Sequence, residues 1–248
     1  RKIALVLEYD GTEYSGFQSQ NNAPSVQDEV ENAWTSLMGV SSRLKAAGRT
    51  DAGVHATGQV VAFETDSNLD EVRIRRGLNH YLPDTIAVIT AQFVPAYFDP
   101  RREALSRVYE YSLLCSTSRS PMRNRYTYLI DRIVDLDLMK QALAYLEGER
   151  DFAPFSGAIP LGKNTVRTLF RTNVTGDSDE IHIELEANAF LPQQVRRIVG
   201  AVLEVGLKRK SPESFRDLAD SHIRGAAQWV IPPQGLCLRK VKYMEMEF

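Results

Sequence analysis

The segment Gly48-Arg49-Thr50-Asp51-Ala52-Gly53-Val54-His55 sets one carboxylate between two glycines, two residues after an arginine. Glycine lets a backbone turn sharply and approach a ligand closely, so Asp51 can be presented at the mouth of a loop. A carboxylate with a reference pKa of about 3.9 near a cation stays ionised. That state suits a nucleophile or a base rather than an acid. An aspartate between glycines also serves as a turn former whose carboxylate caps its own backbone, and the spacing alone leaves both roles open.

Other common chemistries have no carrier. There is no GxxxxGK[ST] loop, no strand-linked GxGxxG, no GxSxG elbow and no HExxH. His55, His80, His182 and His222 lack metal-ligand spacing, and Cys115 and Cys237 lie far apart outside any CxxC pattern. We therefore expect no metal, no nucleotide cofactor and no disulfide framework, and a reducing compartment. No apolar run approaches the roughly 20 residues that span a bilayer, and Arg1-Lys2-Ile3-Ala4-Leu5 is no signal-like block. A cytoplasmic, non-membrane protein is the expectation.

The elements that must position Asp51 are those of an α+β chain. Lys2 to Asp10 alternates Ile3, Leu5, Leu7 and Tyr9 as a half-buried strand. Ser25 with Asp28 opens a helix whose face holds Val26, Val30, Ala33, Trp34 and Leu37, and Gly39 is placed to end it. Residues 43–49 and 59–64 read as strands on either side of the Asp51 block, 70–81 as a helix stopped by Pro83, and 86–94 as a strand. This order, βαββαβ, is the ferredoxin-like arrangement. It recurs in a strand at 103–115, a helix at 137–147, a hairpin of 166–175 and 180–187 through Gly176-Asp177, a helix at 192–205, a short helix opened by Ser211-Pro212, and a closing strand at 236–243. We expect two ferredoxin-like halves, 1–100 and 101–248, with largely antiparallel sheets meeting at a central active-site cleft.

Charge is segregated although its net value is only −2. Arg101, Arg102, Arg107, Arg119, Arg123, Arg125 and Arg132 face only Glu103, Glu110 and Asp131 in their stretch, and Arg196-Arg197 with Lys208-Arg209-Lys210 form a second basic region. Such stretches permit a polyanionic partner. Arg196 follows Val195 on the apolar stripe of its helix, where a cation needs an anionic partner, whereas Arg197 turns elsewhere and reads as a solvent or phosphate contact.

The block from Gly48 through Val60 resembles the catalytic motif of the TruA family of pseudouridine synthases. The resemblance extends to Tyr9-Asp10-Gly11, Gly16-Phe17-Gln18-Ser19-Gln20 and Ser25-Val26-Gln27, to Arg107-Val108-Tyr109-Glu110-Tyr111, and to Asn188-Ala189-Phe190-Leu191, Val195-Arg196, Val199-Gly200 and Gly235-Leu236-Cys237-Leu238. It departs at Pro192-Gln193-Gln194 and at Trp229-Val230-Ile231-Pro232-Pro233. The resemblance implies a pseudouridine synthase fold and cofactor-free isomerisation of uridines at positions 38 to 40 in the tRNA anticodon arm by a homodimer. It implies that Asp51 attacks the flipped uridine, that Arg49 helps hold the nucleotide and that Arg196 pairs with Asp51. It also implies that Tyr109 stacks on the base, with Arg107, Leu236 and Leu238 lining the substrate site. On periodicity alone Tyr109 is equally an ordinary sheet-face residue.

Two other readings compete. A non-catalytic RNA-binding protein shares the βαββαβ layout with RRM domains, but the sequence carries no K/R-G-F/Y-G/A-F-V-x-F/Y segment. A small-molecule enzyme using Asp51 as a base would need no salt-sensitive RNA binding.

Overall fold

Helix α1 (Val26–Met38) begins where its capping residues dictate: the Ser25 hydroxyl accepts from the Asp28 N–H at 3.1 Å, and Gly39 at φ 72° ends it in the left-handed region. The computed structural model describes residues 1–160, 162–177, 179–246 and 248. The chain divides into two compact units, Arg1–Leu105 with Cys237–Phe248, and Ser106–Leu236.

In the first unit β1 (Lys2–Tyr9), α1, β2 (Lys45–Ala46), β3 (His55–Glu64), α2 (Glu71–Tyr81) and β4 (Ile86–Val94) follow the predicted βαββαβ order. β1 lies between β3 and β4, antiparallel to both, with Leu5 opposite Val61 on one side and Ala91 on the other. β2 pairs antiparallel with β3 at Val61 and Ala62. The last strand, β10 (Leu236–Lys242), runs parallel to β3, setting Cys237 opposite His55 and Leu238 opposite Ala56. Ile3, Leu5 and Leu7 are completely buried, but Ala4 and Val6 between them are buried as well, so β1 is covered on both faces rather than half-buried as its alternation predicts, and α1 covers the sheet with Trp34 edge-on to Phe63 at 4.6 Å. Full burial of each such aliphatic side chain is worth about 1.5–3 kcal/mol.

In the second unit β5 (Ser106–Cys115), β9 (Glu180–Ala187), β8 (Val166–Gly176) and β7 (Gly148–Asp151) are neighbours in that order, all antiparallel, and β6 (Tyr128–Ile130) adds to β5 in parallel. The helices are α3 (Leu136–Ala144), α4 (Gln194–Gly206) and α5 (Pro212–Ala219). α4 buries Val195, Ile198, Val199, Val202 and Leu203, the stripe its sequence predicts. Among the described residues no helix is long and apolar enough to cross a membrane.

Several elements differ from expectation: β3 begins at His55 rather than residue 59, β6 is unannounced, and three others have a clear physical reason. The strand expected over 43–49 shrinks to Lys45–Ala46: Ala47 N–H still donates to the Val60 carbonyl at 2.8 Å, but the next carbonyl, of Gly48, is taken by the Gln59 side chain at 2.9 Å, so the ladder gives way to a loop. The helix expected to reach residue 147 ends at Ala144, because Gly148 at φ 96° turns the chain into β7, which the sequence does not announce. The closing strand, expected to finish the second half, lies from Cys237 onward in the first unit, on β3.

Candidate active site

Asp51 sits in the loop between β2 and β3, half-buried, and backbone hydrogen bonds from the segment 14–17 brace that loop. The carbonyl of Thr50 accepts from Phe17 N–H at 3.1 Å, and the Gly53 N–H donates to the Tyr14 carbonyl at 3.2 Å. Val54 N–H closes a turn on the Asp51 carbonyl at 3.2 Å. The segment that grips the loop is itself anchored to α1, whose first residues Val26 and Gln27 donate to the carbonyls of Gly16 and Phe17 at 3.4 and 2.9 Å. Donors that a helix start leaves without internal partners are thus used to fix the active loop's neighbour.

The glycines at positions 11 and 16 explain the Tyr9-Asp10-Gly11 and Gly16-Phe17 motifs physically. A Cβ on Gly11 would lie 2.0 Å from the Val54 carbonyl oxygen, so only glycine fits there. Gly11 N–H donates to His55 Nδ1 at 3.0 Å. A nitrogen that accepts carries no proton, so in this arrangement the neutral ring bears its hydrogen on Nε2. Asp10 Oδ1, 3.3 Å from the same nitrogen, instead accepts from the Thr12 N–H and hydroxyl at 3.0 and 2.5 Å.

Beneath the loop, the Tyr9 hydroxyl meets Thr50 Oγ1 at 2.8 Å and Gln59 Nε2 reaches Gly48. Burial raises the Tyr9 pKa well beyond the ordinary phenol range, against the lowering effect of hydrogen bonds from Thr50 and Gln59.

Beside the loop, a cavity of about 260 Å³ gathers Arg43, Lys45, Arg49 and Arg101 around Phe17 and Asp99. Arg49 is exposed. Arg43 pairs with Glu31 at 3.0 Å and Lys45 with Asp99 at 3.7 Å. Burial works to raise the Asp99 pKa, but N–H donors from Arg101 and Arg102 and the charges of Lys45 and Arg102 outweigh it and hold the carboxyl below its usual value.

In the second unit, Tyr109 is buried at 8% exposure and meets Phe190 edge-to-face at 5.2 Å. Arg107 is also buried, and its Nη1 donates to the Asn188 carbonyl at 2.7 Å. Arg196 directs Nε to the Ile231 carbonyl at 2.8 Å, while the Tyr111 hydroxyl donates to the next carbonyl, Pro232, at 2.6 Å. Two side chains from α4 and β5 thereby pin the atypical Trp229–Pro233 segment and fix the plane of the Arg196 guanidinium. Close packing reinforces the arrangement, since a Cβ on Gly200 would lie 2.4 Å from the Trp229 carbonyl oxygen. Burial raises the Tyr111 pKa far above the ordinary phenol range, with Arg196 opposing the shift.

Of the residues singled out from sequence, Arg49, Asp51 and Leu238 stand in the first unit and Arg107, Tyr109, Arg196 and Leu236 in the second. Leu236 and Leu238 are both buried. Arg197 corrects the solvent or phosphate role expected of it. Its guanidinium donates to the Ala227 carbonyl at 2.6 Å and to Gln193 Oε1 at 3.0 Å, and burial followed by the Arg196 charge lowers its pKa. Sequence reasoning missed Gln59, Tyr111 and the structural part of Tyr9. The one available signal was a glutamine inside the apolar run of β3.

The sequence profile of a family described as tRNA pseudouridine synthase matches residues 5–101 and 142–244. The protein named tRNA pseudouridine synthase A from Geobacter sp. (strain M21) is 40% identical over 246 residues, covering 99% of this chain and 100% of its own. Its namesake from Geotalea uraniireducens (strain Rf4) is 39% identical over 243 residues, covering 98% and 100%. A solved H/ACA ribonucleoprotein bound to a substrate RNA containing 2′-deoxyuridine aligns with 95% of this chain and 59% of that one, at a TM-score of 0.40 and 10% identity. The family is one of isomerases. The chain belongs to the tRNA pseudouridine synthase family.

Proposed function

We propose that this synthase converts uridine to pseudouridine at positions 38 to 40 of the tRNA anticodon arm, with Asp51 as the nucleophile. The observation that carries the reading is the bracing of the Asp51 loop by Gly11, Gly16 and Phe17, which holds one carboxylate at the end of an otherwise immobilised turn. Preorganisation of this kind is what a positioned nucleophile requires. The carboxylate attacks the target nucleotide and the C1′–N1 bond breaks. The detached base rotates, C5 bonds to C1′ as the bond between the nucleotide and the Asp51 carboxylate breaks, the C5 proton leaves to solvent and N1 gains one, so product and substrate are isomers and no redox partner enters.

Uridine must leave its stack for this, at a few kcal/mol. Stacking on Tyr109 returns about 1–3 kcal/mol of that. Arg196, its plane set by Ile231, would pair with the Asp51 carboxylate, and Arg49 would hold the flipped nucleotide. Leu236 and Leu238 would close the apolar side of the site. The cations around Phe17 would bind RNA phosphates, which fix register without reading sequence. We further propose that the protein acts in the cytoplasm as a homodimer that contacts one tRNA with both subunits.

Tritium release from tRNA labelled at uridine C5, with mapping of the modified positions, tests the reading. Release confined to the anticodon arm in the natural chain, and none with Asp51→Asn at unchanged tRNA affinity, is expected. RNA binding without release would favour a non-catalytic RNA-binding protein.

A further inference from the structure

We propose that two buried hydrogen bonds, the relay from Tyr9 to Thr50 and the bond from Gln59 to Gly48, position the Asp51 loop, making Tyr9 and Gln59 positioning residues of the isomerisation. The inference rests on Asp51 being the reacting carboxylate, as set out above.

Gln59 is fully buried in β3, and its Nε2 donates to the Gly48 carbonyl at 2.9 Å. Tyr9, itself enclosed, remains protonated because burial disfavours the phenolate. Its hydroxyl shares a hydrogen bond with Thr50 Oγ1 at 2.8 Å. Thr50, the residue before Asp51, is thus held from below through its side chain and from the side through its carbonyl by Phe17.

The Gln59 amide shows which contacts set its orientation. Among the described residues, Gln59 Oε1 is buried without a hydrogen-bond partner. Rotating the amide would point that oxygen at the Gly48 carbonyl and forfeit the donor contact. The strand therefore keeps a polar side chain amid Val60, Val61, Ala62 and Phe63 whose nitrogen serves the loop and whose oxygen serves nothing within the strand. A packing role alone would be met by an aliphatic residue. None of the three side chains is assigned contact with the substrate; they act through the backbone of residues 48–51, where a displacement of about 1 Å can cost about 100-fold in rate.

The test is the single-turnover rate of tritium release with enzyme in excess, read beside tRNA affinity and melting temperature. Tyr9→Phe and Thr50→Val should each slow the chemical step about 10- to 100-fold while affinity stays within about twofold. Thr50→Ser, which keeps the hydroxyl, should recover most of the loss seen with Thr50→Val. Because the two residues form one relay, Tyr9→Phe/Thr50→Val should be no slower than the slower single variant. Rates within about twofold of the natural chain, multiplicative losses in the double variant, or a serine variant as slow as valine would each overturn the relay. Should Tyr9→Phe fail to fold, the valine–serine comparison at Thr50 decides alone. Asp51→Asn, run in parallel, separates the two claims: turnover by that variant defeats the nucleophile assignment, whereas an inactive Asp51→Asn beside a fully active Tyr9→Phe defeats only the relay.

Discussion

Gly16 stands against the Thr50 carbonyl oxygen so closely that a Cβ at position 16 would lie 2.7 Å from it, and 3.3 Å from the backbone of Asp51 and Ala52. At φ 103° the residue also occupies a conformation that side-chain-bearing residues rarely adopt. Backbone contact, unlike contact with a flexible side chain, cannot yield without moving the loop. Gly16→Ala is therefore expected to cost about 1–3 kcal/mol in stability and to lower turnover about tenfold or more, because the loop that shifts carries Asp51. Chemical denaturation and tritium release measured on the same preparation check both parts.

Arg197→Met should act on folding rather than on RNA. The methionine keeps much of the apolar stem but leaves the Ala227 carbonyl and Gln193 Oε1 without their charged donor. An acceptor orphaned in full burial costs about 1–3 kcal/mol, and these part-buried ones less. The expected result is a lower denaturation midpoint with an unchanged salt dependence of tRNA binding.

Arg49→Ala should do the reverse. Arg49 is exposed on the active loop and lines the basic cavity. Its removal should leave the melting temperature within a degree or two, weaken tRNA binding, and reduce the slope of log affinity against log salt by about one. A filter-binding titration across salt concentrations measures it, and an unchanged slope would remove Arg49 from the RNA contacts.

Asp99 supplies an acid-dependent part of the first unit's stability. Its folded pKa lies below the unfolded value of about 3.9, since N–H donors and Lys45 overcome the effect of burial. A carboxyl depressed in the folded state contributes stability that is present above the unfolded pKa and is lost as pH falls through the folded one. Asp99→Asn should consequently be less stable than the natural chain at neutral pH, with the gap closing below about pH 4. Urea denaturation at several pH values follows the gap; a constant difference down to pH 2 would contradict it.

What the sequence discloses and what it hides divide by range. Strands β4 and β9 occupy the residues that alternation predicts, Ile86–Val94 and Glu180–Ala187, and α5 opens at Ser211-Pro212 as its cap requires. These are local patterns, fixed by period and punctuation. β6 and β7, three and four residues long, are too short to show a period. Helical spacing placed Arg197 off the apolar stripe, but it cannot say that a segment some thirty residues later returns to cover that face. Asp51 was visible as a candidate through the resemblance of the Gly48–Val60 block to a family motif, because its glycine-flanked spacing alone leaves its role open. Its supports were not: the hydrogen bond from Tyr9 to Thr50 spans 41 positions, and no periodicity encodes a pairing at that distance.

The parallel pairing of β10 with β3 also sets a timetable. Gly58 of β3 packs so tightly on this strand that a Cβ there would lie 2.3 Å from the Arg239 carbonyl oxygen, so the site is shaped for β10 and for little else. During synthesis Arg1–Leu105 emerges first, and the whole of Ser106–Leu236 must follow before Cys237 can reach its place opposite His55. At ribosomal speeds of about 5–20 residues per second this delay is on the order of ten seconds. Throughout it the β3 edge next to the Asp51 loop is without its β10 partner, and an unpaired strand edge is a template for wrong partners. The nascent chain therefore carries an open strand edge beside the Asp51 loop, and the first unit is completed only when β10 arrives.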